Sequence, residues 1–504
     1  MKKGLIERLK EYGESDYYPF HMPGHKRNSA NELFNTAYQC DITEIDGFDN
    51  LHDAQGILKE SQEYAAALYH SEETYFLING STAGILSAIS SISGRGKKLI
   101  IARNCHKAVY HAAFLNQLEI EYIYPDIIEA FGISDGILQQ QVQAAIEKIA
   151  EREGTEKSDI HTVIAGIVLT SPTYDGILSD VGGIVKTAHS YGIPVIVDQA
   201  HGAHFGFHPA FPSNAVADGA DLVIHSVHKT LPAPTQTALL HKNGSLVSSE
   251  AVRKYLRIYQ SSSPSYLLMA GIDTCMQIVG EEGRERLDHM LDYRRELIKK
   301  AEKLKYISIY PSMAETWEES PGYFRQGMEE PGRLLISVKG SNITGHCLYN
   351  TLRERYHLQM EMCGADYVIA ILSMMDKKTG FDRLSEALDE IDQWIDSHQE
   401  YQQLQKESFF MYQQYQPKAV LKLSDAFMEE SCYIPLEKAE GKTAADFISL
   451  YPPGIPVLVP GEIVDERIIQ IVKAYLSGGY TVQGIKTDER DGRHNLKVLK
   501  QRVE

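Results

Sequence analysis

The sequence predicts an α/β fold built on a mainly parallel sheet, and three observations support this prediction. Between residues 56 and 285, short apolar runs of strand length alternate with longer amphipathic segments. Such alternation is typical of a parallel sheet whose two faces are covered by helices. Polar and ionisable side chains follow several of the apolar runs, where parallel sheets collect their ligand sites. We therefore expect a functional site at the carboxyl edge of this sheet.

The first 55 residues combine a short helix with loop-rich sequence that cannot bury a core of its own. We expect this N-terminal arm to lie against a large domain, residues 56–285. Within that domain, helices are predicted at 57–70, 85–90 and 138–152, and strands at 74–78, 98–102, 119–124, 162–170, 194–198 and 221–225.

Residues 286–400 are predicted to form a small α/β domain and residues 401–504 a C-terminal α+β domain. A long helix near 282–304 leads into the small domain, in which we expect a strand at 333–338 and a helix at 384–397. The segment 401–416 is rich in Gln and Tyr, and we expect it to form a helix or a linker between the two domains. The clearest feature of the last domain is 451–462, a Pro/Gly turn before a short apolar strand.

Composition and charge narrow the class of protein. The 504 residues include 68 acidic and 50 basic side chains, a formal net charge of -18. An acidic surface repels nucleic acids and anionic lipids but attracts a small cationic substrate. The apolar runs are shorter than the roughly 20 residues of a membrane span, and the amino terminus turns polar too soon for a signal peptide. We expect a cytoplasmic protein without nucleic-acid or membrane partners, and its six scattered cysteines are expected to be reduced.

Two reactive residues follow neighbouring predicted strands. Asp198 ends the run 194–198, and Lys229 lies in Ser-Val-His-Lys-Thr, residues 226–230, just after the run 221–225. A lysine that binds an aldehyde covalently and a carboxylate that keeps a pyridine nitrogen protonated are what pyridoxal phosphate requires. Asp198 could instead be a buried structural acid, but its spacing from Lys229 favours the cofactor role.

A phosphate site is predicted where the segment 79–84, Asn-Gly-Ser-Thr-Ala-Gly, opens a helix. The unpaired N–H groups and the positive dipole at a helix start can bind a phosphate together with the hydroxyls of Ser81 and Thr82. An ordinary helix cap is the alternative. Ser226 and His228 are further candidates for this site because they flank Lys229 in the sequence.

Histidines near the predicted strand ends are candidates for contacts with the cofactor. His106 follows the run 98–102, and an imidazole there can stack on the pyridine face, although a surface histidine is the alternative. The neighbouring Cys105 is expected to be a packed thiol. His201, His204 and His208 suggest a metal site, but intervening glycines and a proline interrupt any helix that would align them. We therefore expect no metal and assign His201 to the surroundings of the cofactor.

Acidic residues outside the sheet are candidates for binding a substrate's distal cation. The loop 43–52 contains Glu44 and several other acids, and Glu462 follows the Pro/Gly turn near the carboxyl terminus. Most charged loops are exposed to solvent and bind nothing, and this is the alternative for both Glu44 and Glu462. Carboxylates can nevertheless receive an ammonium or guanidinium group through charge-assisted hydrogen bonds.

Taken together, these motifs resemble the Orn/Lys/Arg decarboxylase class-I family, which has the aspartate aminotransferase-like pyridoxal phosphate fold. The matching stretches are 19–26, 43–52 with 59–62, 79–84, 104–107, 171–176, 198–208, 226–230 with Gln236, and 451–462. They follow the family order over nearly the whole chain. Gln199 departs from the Glu that is common in the family. The chain is similar to the short members, which lack an N-terminal receiver-like domain.

The resemblance implies roles for individual residues. Lys229 would hold the cofactor covalently, Asp198 would pair with the pyridine nitrogen, and His106 would stack on the ring. Phosphate would be held by the hydroxyl and imidazole groups of Ser81, Thr82, Ser226 and His228. Glu462 would bind the distal cation of the substrate, either in its own chain or in the partner chain of a homodimer or a larger assembly of dimers.

The implied reaction is decarboxylation of a basic amino acid, as in polyamine metabolism. Arginine is the first choice of substrate, and lysine and ornithine come next. Lys229 or His228 would return a proton to the substrate Cα. The alternatives are an aminotransferase or aldolase on the same fold, or a catalytically silent regulator that binds pyridoxal phosphate.

Overall fold

The computed structural model describes residues 4–28, 32–128, 131–310, 330–400, 415–451, 454–477 and 479–500. The α-helices in these ranges are α1 (Leu5–Gly13), α2 (Glu32–Cys40), α3 (Ile57–Tyr69), α4 (Gly80–Ile92), α5 (Lys107–Leu115), α6 (Gln139–Glu153), α7 (Val181–Ser190), α8 (Val227–Thr230), α9 (Ser249–Tyr259), α10 (Tyr266–Ala301), α11 (Gly345–Arg355), α12 (Lys378–Ser397), α13 (Leu423–Met428) and α14 (Glu466–Ser477).

A seven-stranded sheet forms the centre of the predicted large domain. Its strands are β1 (Glu73–Leu77), β2 (Lys98–Ala102), β3 (Glu119–Ile123), β6 (Ile164–Thr170), β7 (Val195–Asp198), β8 (Leu222–His225) and β9 (Ala238–Lys242), and the hairpin β4 (Ile127–Ile128) and β5 (Ile133–Ser134) lies outside it. The strand order is β1-β9-β8-β7-β6-β2-β3. The pairs from β8 to β3 are parallel, and β9 runs antiparallel to both of its neighbours. The predicted α/β fold with a mainly parallel sheet is confirmed.

The register of this sheet determines where the predicted reactive residues lie. Strand β7 pairs in parallel with β8, and Asp198 stands opposite Ile224. Both strands are buried along their whole length because helices cover the two faces of the sheet. Gly84 lets α4 lie close to the sheet, since a Cβ there would come within 2.6 Å of Leu77 Cδ1. The start of α4 is thereby held near the end of β8.

The chain between the large domain and the C-terminal segment contributes a four-stranded antiparallel sheet. Its strands are β10 (Ser308–Tyr310), β11 (Arg333–Ser337), β12 (Met362–Cys363) and β13 (Tyr367–Ile371), in the order β10-β11-β13-β12. The long helix α10 packs against α12 on this sheet. Leu5 and Leu9 of α1 are fully buried in the same apolar core, so the N-terminal helix lies against the rest of the chain.

Two three-stranded sheets lie in the C-terminal segment. Their strands are β14 (Ser431–Pro435), β15 (Ile448–Tyr451), β16 (Ile455–Leu458), β17 (Thr481–Gln483), β18 (Ile485–Thr487) and β19 (His494–Leu499), in the orders β14-β19-β18 and β16-β15-β17. A separate apolar core joins these strands to α14. The predicted strand after the Pro/Gly turn corresponds to β16, while residues 452 and 453 of that turn lie outside the described residues.

Several predicted boundaries differ from the structure. The long helix begins at Tyr266, well before residue 282, and α4 begins at Gly80, before residue 85. Lys229 follows β8 as predicted, and the short helix α8, which was not predicted, places it one turn beyond the strand. The predicted linking segment falls mostly on 401–414, outside the described residues, and the predicted domain limits near residues 56, 286 and 401 stay predictions. In the described ranges, no helix combines the length and apolar character needed to cross a lipid bilayer.

Candidate active site

Asp198 lies at the carboxyl end of β7 and is buried. Its Oδ1 accepts a hydrogen bond from Ala200 N at 3.2 Å, while Oδ2 accepts none from the described residues. Burial raises the pKa of this carboxyl, and the nearby charge of Lys229 opposes the shift. The free Oδ2 can therefore accept a hydrogen bond from a cationic N–H group.

Lys229 enters the same region from the neighbouring strand. Strand β8 ends at His225, Ser226 occupies the N-cap position of α8, and Lys229 is the third residue of this short helix. Lys229 Nζ lies 2.8 Å from His201 Nε2. Burial lowers the pKa of Lys229, the Asp198 charge opposes this, and Arg333 lowers it further. A lysine with a lowered pKa is a better nucleophile because more of it is uncharged.

His106 occupies the N-cap position of α5, and its Nδ1 accepts a hydrogen bond from Ala108 N at 3.2 Å. Burial lowers the pKa of His106 to about 4, with a further contribution from Lys229. The imidazole is thus neutral at pH 7 and carries its proton on Nε2. A neutral flat ring held by a helix start is suited to stacking on another ring. The adjacent Cys105 is a buried thiol whose pKa burial raises to about 12.

The start of α4 and the turn before Lys229 are joined by a hydrogen bond between Ser81 Oγ and Ser226 Oγ. Thr82 is exposed beside this pair. The first N–H groups of a helix have no partner within the helix, so hydroxyls and N–H groups are available together here. His228 Nδ1 donates to the Thr237 carbonyl at 2.7 Å, which fixes the orientation of its ring. Burial lowers the pKa of His228, and Lys229 contributes to the same effect.

Arg333 is a buried residue of the site that the sequence analysis did not identify. It is 1% exposed at the start of β11, and its Nη2 lies 2.6 Å from His201 Nδ1. Its Nη1 lies 3.1 Å from Oε1 of Glu330, which is 0% exposed, and Glu330 Oε2 lies 3.1 Å from His204 Nε2. The strand at 333–338 was predicted, and a charged residue opening a buried strand is the signal that could have identified Arg333.

Glu361 and Tyr174 were also not identified as candidates. The ring of Tyr174 lies 4.8 Å from that of His201, and its hydroxyl donates to Glu361 Oε1. Glu361 is exposed, and its charge raises the pKa of Lys229 against the larger effect of burial. Tyr174 belongs to a stretch that carries the family resemblance, whereas no local pattern distinguishes Glu361. The charge of an exposed acid of the same chain therefore reaches Lys229.

The two predicted substrate residues lie elsewhere in the described chain. Glu462 is 1% exposed, its Oε2 lies 3.3 Å from Arg103 Nη2, and this oxygen also accepts from Val459 N at 2.7 Å. Burial raises the pKa of Glu462 to about 7, against the effect of Arg103. Glu44 lies near Tyr266 and has a buried Oε1 that has no hydrogen-bond partner among the residues that the structure describes. Neither is hydrogen-bonded to Lys229, and a role for Glu462 in a partner chain stays a prediction.

The three histidines that suggested a metal site point to different partners. His201 contacts Lys229 and Arg333, His204 contacts Glu330, and His208 Nε2 lies 2.8 Å from Asp288 Oδ1. Among the residues that the structure describes, no cluster of three or more His, Cys, Asp or Glu side chains is arranged to hold a metal ion.

The arrangement around Lys229 fits pyridoxal phosphate. The open Oδ2 of Asp198 matches a pyridinium N–H, and the neutral imidazole of His106 matches a ring face. The amine of Lys229 matches the aldehyde, and the linked hydroxyls of Ser81 and Ser226 match the phosphate. These four features require chemically different partners, and this cofactor carries all of them.

Comparison with known sequences identifies two family matches that together span most of the chain. The Orn/Lys/Arg decarboxylase major domain matches residues 4–380, and the C-terminal domain of the same family matches residues 402–500. The arginine decarboxylase of Bacillus subtilis is 31% identical over 507 residues, covering 99% of this chain and 98% of that protein. The arginine decarboxylase of Halalkalibacterium halodurans is 32% identical and covers 96% of this chain and 94% of that protein.

Comparison with solved structures identifies the same fold. The lysine decarboxylase of Francisella novicida superposes with a TM-score of 0.82 at 21% identity, covering 98% of this chain and 81% of that chain. The constitutive lysine decarboxylase of Escherichia coli gives the same TM-score of 0.82 at 21% identity, covering 98% and 82% of the two chains.

Proposed function

The chain belongs to the Orn/Lys/Arg decarboxylase family, and from this premise we propose that it uses pyridoxal phosphate to remove the α-carboxylate of a basic amino acid, with arginine as the first choice. The observation that carries the proposal is the parallel pairing of β7 with β8, which brings Asp198 and Lys229 to one edge of the sheet. Relatives named arginine decarboxylase support the choice of arginine over lysine and ornithine.

When bound, pyridoxal phosphate supplies an electron sink for the pair of electrons that the departing carboxylate leaves behind. Asp198 would keep the ring nitrogen protonated through its open Oδ2. His106 would cover one face of the ring and exclude water from it. Ser81 and Ser226 would hold the phosphate together with the first N–H groups of α4, and each charge-assisted hydrogen bond would contribute about 1.5 to 3 kcal/mol.

Lys229 and His228 are the candidates for moving protons. Lys229 Nζ would attach the cofactor and, once displaced by the substrate amine, would be free to deliver a proton to the substrate Cα. His228 Nδ1 is engaged with the Thr237 carbonyl, so its Nε2 is the atom available for the same transfer. Burial lowers the pKa of Lys229 toward neutral pH, which suits proton transfer. Burial also lowers the pKa of His228, but away from neutral pH, so this imidazole is favoured in its uncharged form.

Glu361 is our candidate for the carboxylate that receives the substrate's distal cation. It is exposed, its charge acts on Lys229 in the same chain, and its side chain accepts a hydrogen bond from the Tyr174 hydroxyl. Glu462 is paired with Arg103 and is the weaker candidate within one chain. A neutral amino acid would lack the charge-assisted hydrogen bond to this carboxylate, a loss of about 1.5 to 3 kcal/mol that discriminates against such substrates.

The remaining parts of the proposal concern assembly and compartment. We propose a homodimer or an assembly of dimers, consistent with the family. All six cysteines are unpaired, which supports a reducing, cytoplasmic environment.

An aminotransferase needs an arginine that clamps the substrate α-carboxylate. The arginine whose charge reaches Lys229, Arg333, is engaged with His201 and Glu330. Decarboxylation is therefore favoured over transamination.

The test is an assay of the purified protein with pyridoxal phosphate and each of arginine, lysine and ornithine. Carbon dioxide and the corresponding amine should form, fastest from arginine. Lys229→Ala should abolish turnover, whereas Lys254→Ala, at an exposed lysine of α9, should retain it. Keto acid in place of amine, or full activity of Lys229→Ala, would reject the proposal.

A further inference from the structure

Three side chains from different parts of the fold form a line that ends at Lys229. Arg333 Nη2 lies 2.6 Å from His201 Nδ1, and His201 Nε2 lies 2.8 Å from Lys229 Nζ. Arg333 opens β11, His201 follows β7, and Lys229 lies in α8. The imidazole thus bridges a permanent cation and the amine.

The donors and acceptors along this line determine where each proton sits. A guanidinium has five N–H donors and no acceptor, so His201 Nδ1 must accept the bond from Arg333. A ring that accepts at Nδ1 is neutral and carries its proton on Nε2. That N–H must donate to Lys229 Nζ, and only an uncharged amine has the lone pair to accept it.

We propose that Arg333 is a positioning residue that acts through His201 to hold Lys229 as a neutral amine, ready to attack a carbonyl carbon. The inference rests on the proposed function only in that it gives Lys229 the task of binding the cofactor. Arg333 does not touch the reacting amine, and among the residues predicted to surround the cofactor it is bonded to His201. Its effect is transmitted by the tautomer that it imposes on His201.

Arg333 is held rigidly enough to impose this tautomer. Its guanidinium pairs with Glu330 at 3.1 Å, and both side chains are at most 1% exposed. Gly176, at φ +93°, leaves room for the stem of Arg333, since a Cβ there would come within 2.8 Å of Arg333 Cγ. Glu330 balances the charge of the buried guanidinium, so Arg333 can stay ionised. No second carboxylate is then needed beside His201.

The other charged groups around Lys229 shift its pKa in opposite directions. Asp198 and Glu361 favour the ammonium form, whereas burial and Arg333 favour the amine, and the resulting pKa of Lys229 is lowered. Within the described ranges, no carboxylate forms an ion pair with Lys229 Nζ. The pKa of His201 lies well below its ordinary value because of burial and the charges of Lys229 and Arg333, with smaller effects from His106 and His228. These directions agree with a neutral imidazole and a neutral amine.

The experiment measures the reactivity of Lys229 in the full-length protein freed of cofactor. Trace acetic anhydride labels amines only in their uncharged form, and mass spectrometry compares the peptide of Lys229 with that of the exposed Lys254 over a range of pH. We expect a midpoint for Lys229 at least about one pH unit below the ordinary lysine value of about 10.4. A midpoint at or above that of Lys254 would overturn the inference.

Substitutions at Arg333 distinguish an effect of the His201 tautomer on the pKa of Lys229 from the effect of burial alone. Arg333→Lys keeps a side chain that can only donate, so the low midpoint should persist. In Arg333→Gln, the amide oxygen can accept a proton from Nδ1, which frees Nε2 to accept from an ammonium. The midpoint should then rise by about one unit, a roughly tenfold loss of labelling near neutral pH. Arg353→Gln, at an exposed arginine of α11, should match the wild type.

Separate experimental controls address loss of folding and failure of the proposed function. The pair Glu330→Gln with Arg333→Gln removes both buried charges and should show the same rise in midpoint if the single variant is unstable. An unchanged midpoint in folded Arg333→Gln or in the pair would overturn the inference. Because labelling needs neither cofactor nor substrate, a low wild-type midpoint in a protein that forms no amine would reject the proposed function alone.

Discussion

Glu462 Oε2 lies 3.3 Å from Arg103 Nη2, so the C-terminal segment is joined to the end of β2 by a buried ion pair. Arg103 also donates to the Pro456 carbonyl at 2.6 Å and lies over the ring of Tyr122 at 5.2 Å. The carboxylate that follows the Pro/Gly turn is therefore a structural contact between two sheets within this chain.

Stability should depend on the titration of Glu462. Its pKa is raised to about 7 by burial, from an ordinary value near 4.5. As pH rises from 4.5 to 7, the unfolded chain ionises first, so the folded state loses stability by at most about 1.4 kcal/mol per pH unit. Glu462→Gln should remove this slope in chemical unfolding measured at several pH values. Glu354→Gln, an exposed control on α11, should retain the wild-type slope.

The substrate's cation should be recognised by Glu361 more than by Glu462. Glu361→Gln should raise KM for arginine by about tenfold or more with a smaller effect on kcat, because a charge-assisted hydrogen bond contributes about 1.5 to 3 kcal/mol. Steady-state kinetics on both variants provides the comparison. A larger rise in KM for Glu462→Gln would transfer the role to Glu462, either directly or across a subunit interface.

His106 should contribute to cofactor binding by stacking. Aromatic stacking contributes about 0.5 to 1.5 kcal/mol, so His106→Ala should weaken pyridoxal phosphate binding by about two- to tenfold, and His106→Phe should restore most of it. Because the pKa of His106 is about 4, its contribution should be constant between pH 6 and 8. Titration of the cofactor-free protein, followed by absorbance, measures both effects. Equal affinities for the alanine variant and the wild type would exclude stacking.

Asp198 should matter more for turnover than for folding. Asp198→Asn keeps the shape of the side chain and the bond from Ala200 N but removes the charge opposite the ring nitrogen. We expect kcat to fall at least about tenfold, the equivalent of about 1.4 kcal/mol, while cofactor remains bound. The absorbance spectrum and kcat of the variant are measured on the same sample. Unchanged kcat with full cofactor occupancy would show that Asp198 does not act on the ring.

Much of the fold is predictable from the sequence because buried parallel strands have a strong local signature. The run 98–102 coincides with β2, Asp198 ends β7, and Lys229 follows the neighbouring β8, as expected. The antiparallel β9 was not predicted, since its five buried residues carry no sign of direction. The early start of α10 was not predicted because its first turns lack a polar face.

The predicted site was incomplete where it depends on contacts between distant segments. Arg333 and His201 are 132 residues apart, and no local pattern indicates that they touch. Glu361 approaches Lys229 only because β12 belongs to a second sheet. Conversely, Glu44 and Glu462 were chosen as acids near turns, and sequence alone does not reveal that Arg103 pairs with Glu462.

Reduction with borohydride followed by peptide mapping shows whether Lys229 carries the cofactor. Borohydride makes a lysine–cofactor bond permanent, so the modified peptide identifies the attachment site. We predict a pyridoxyl group on Lys229 in the wild-type protein and none on this peptide in Lys229→Arg. Attachment at a different lysine in active protein, or active protein without any lysine adduct, would show that Lys229 does not carry the cofactor.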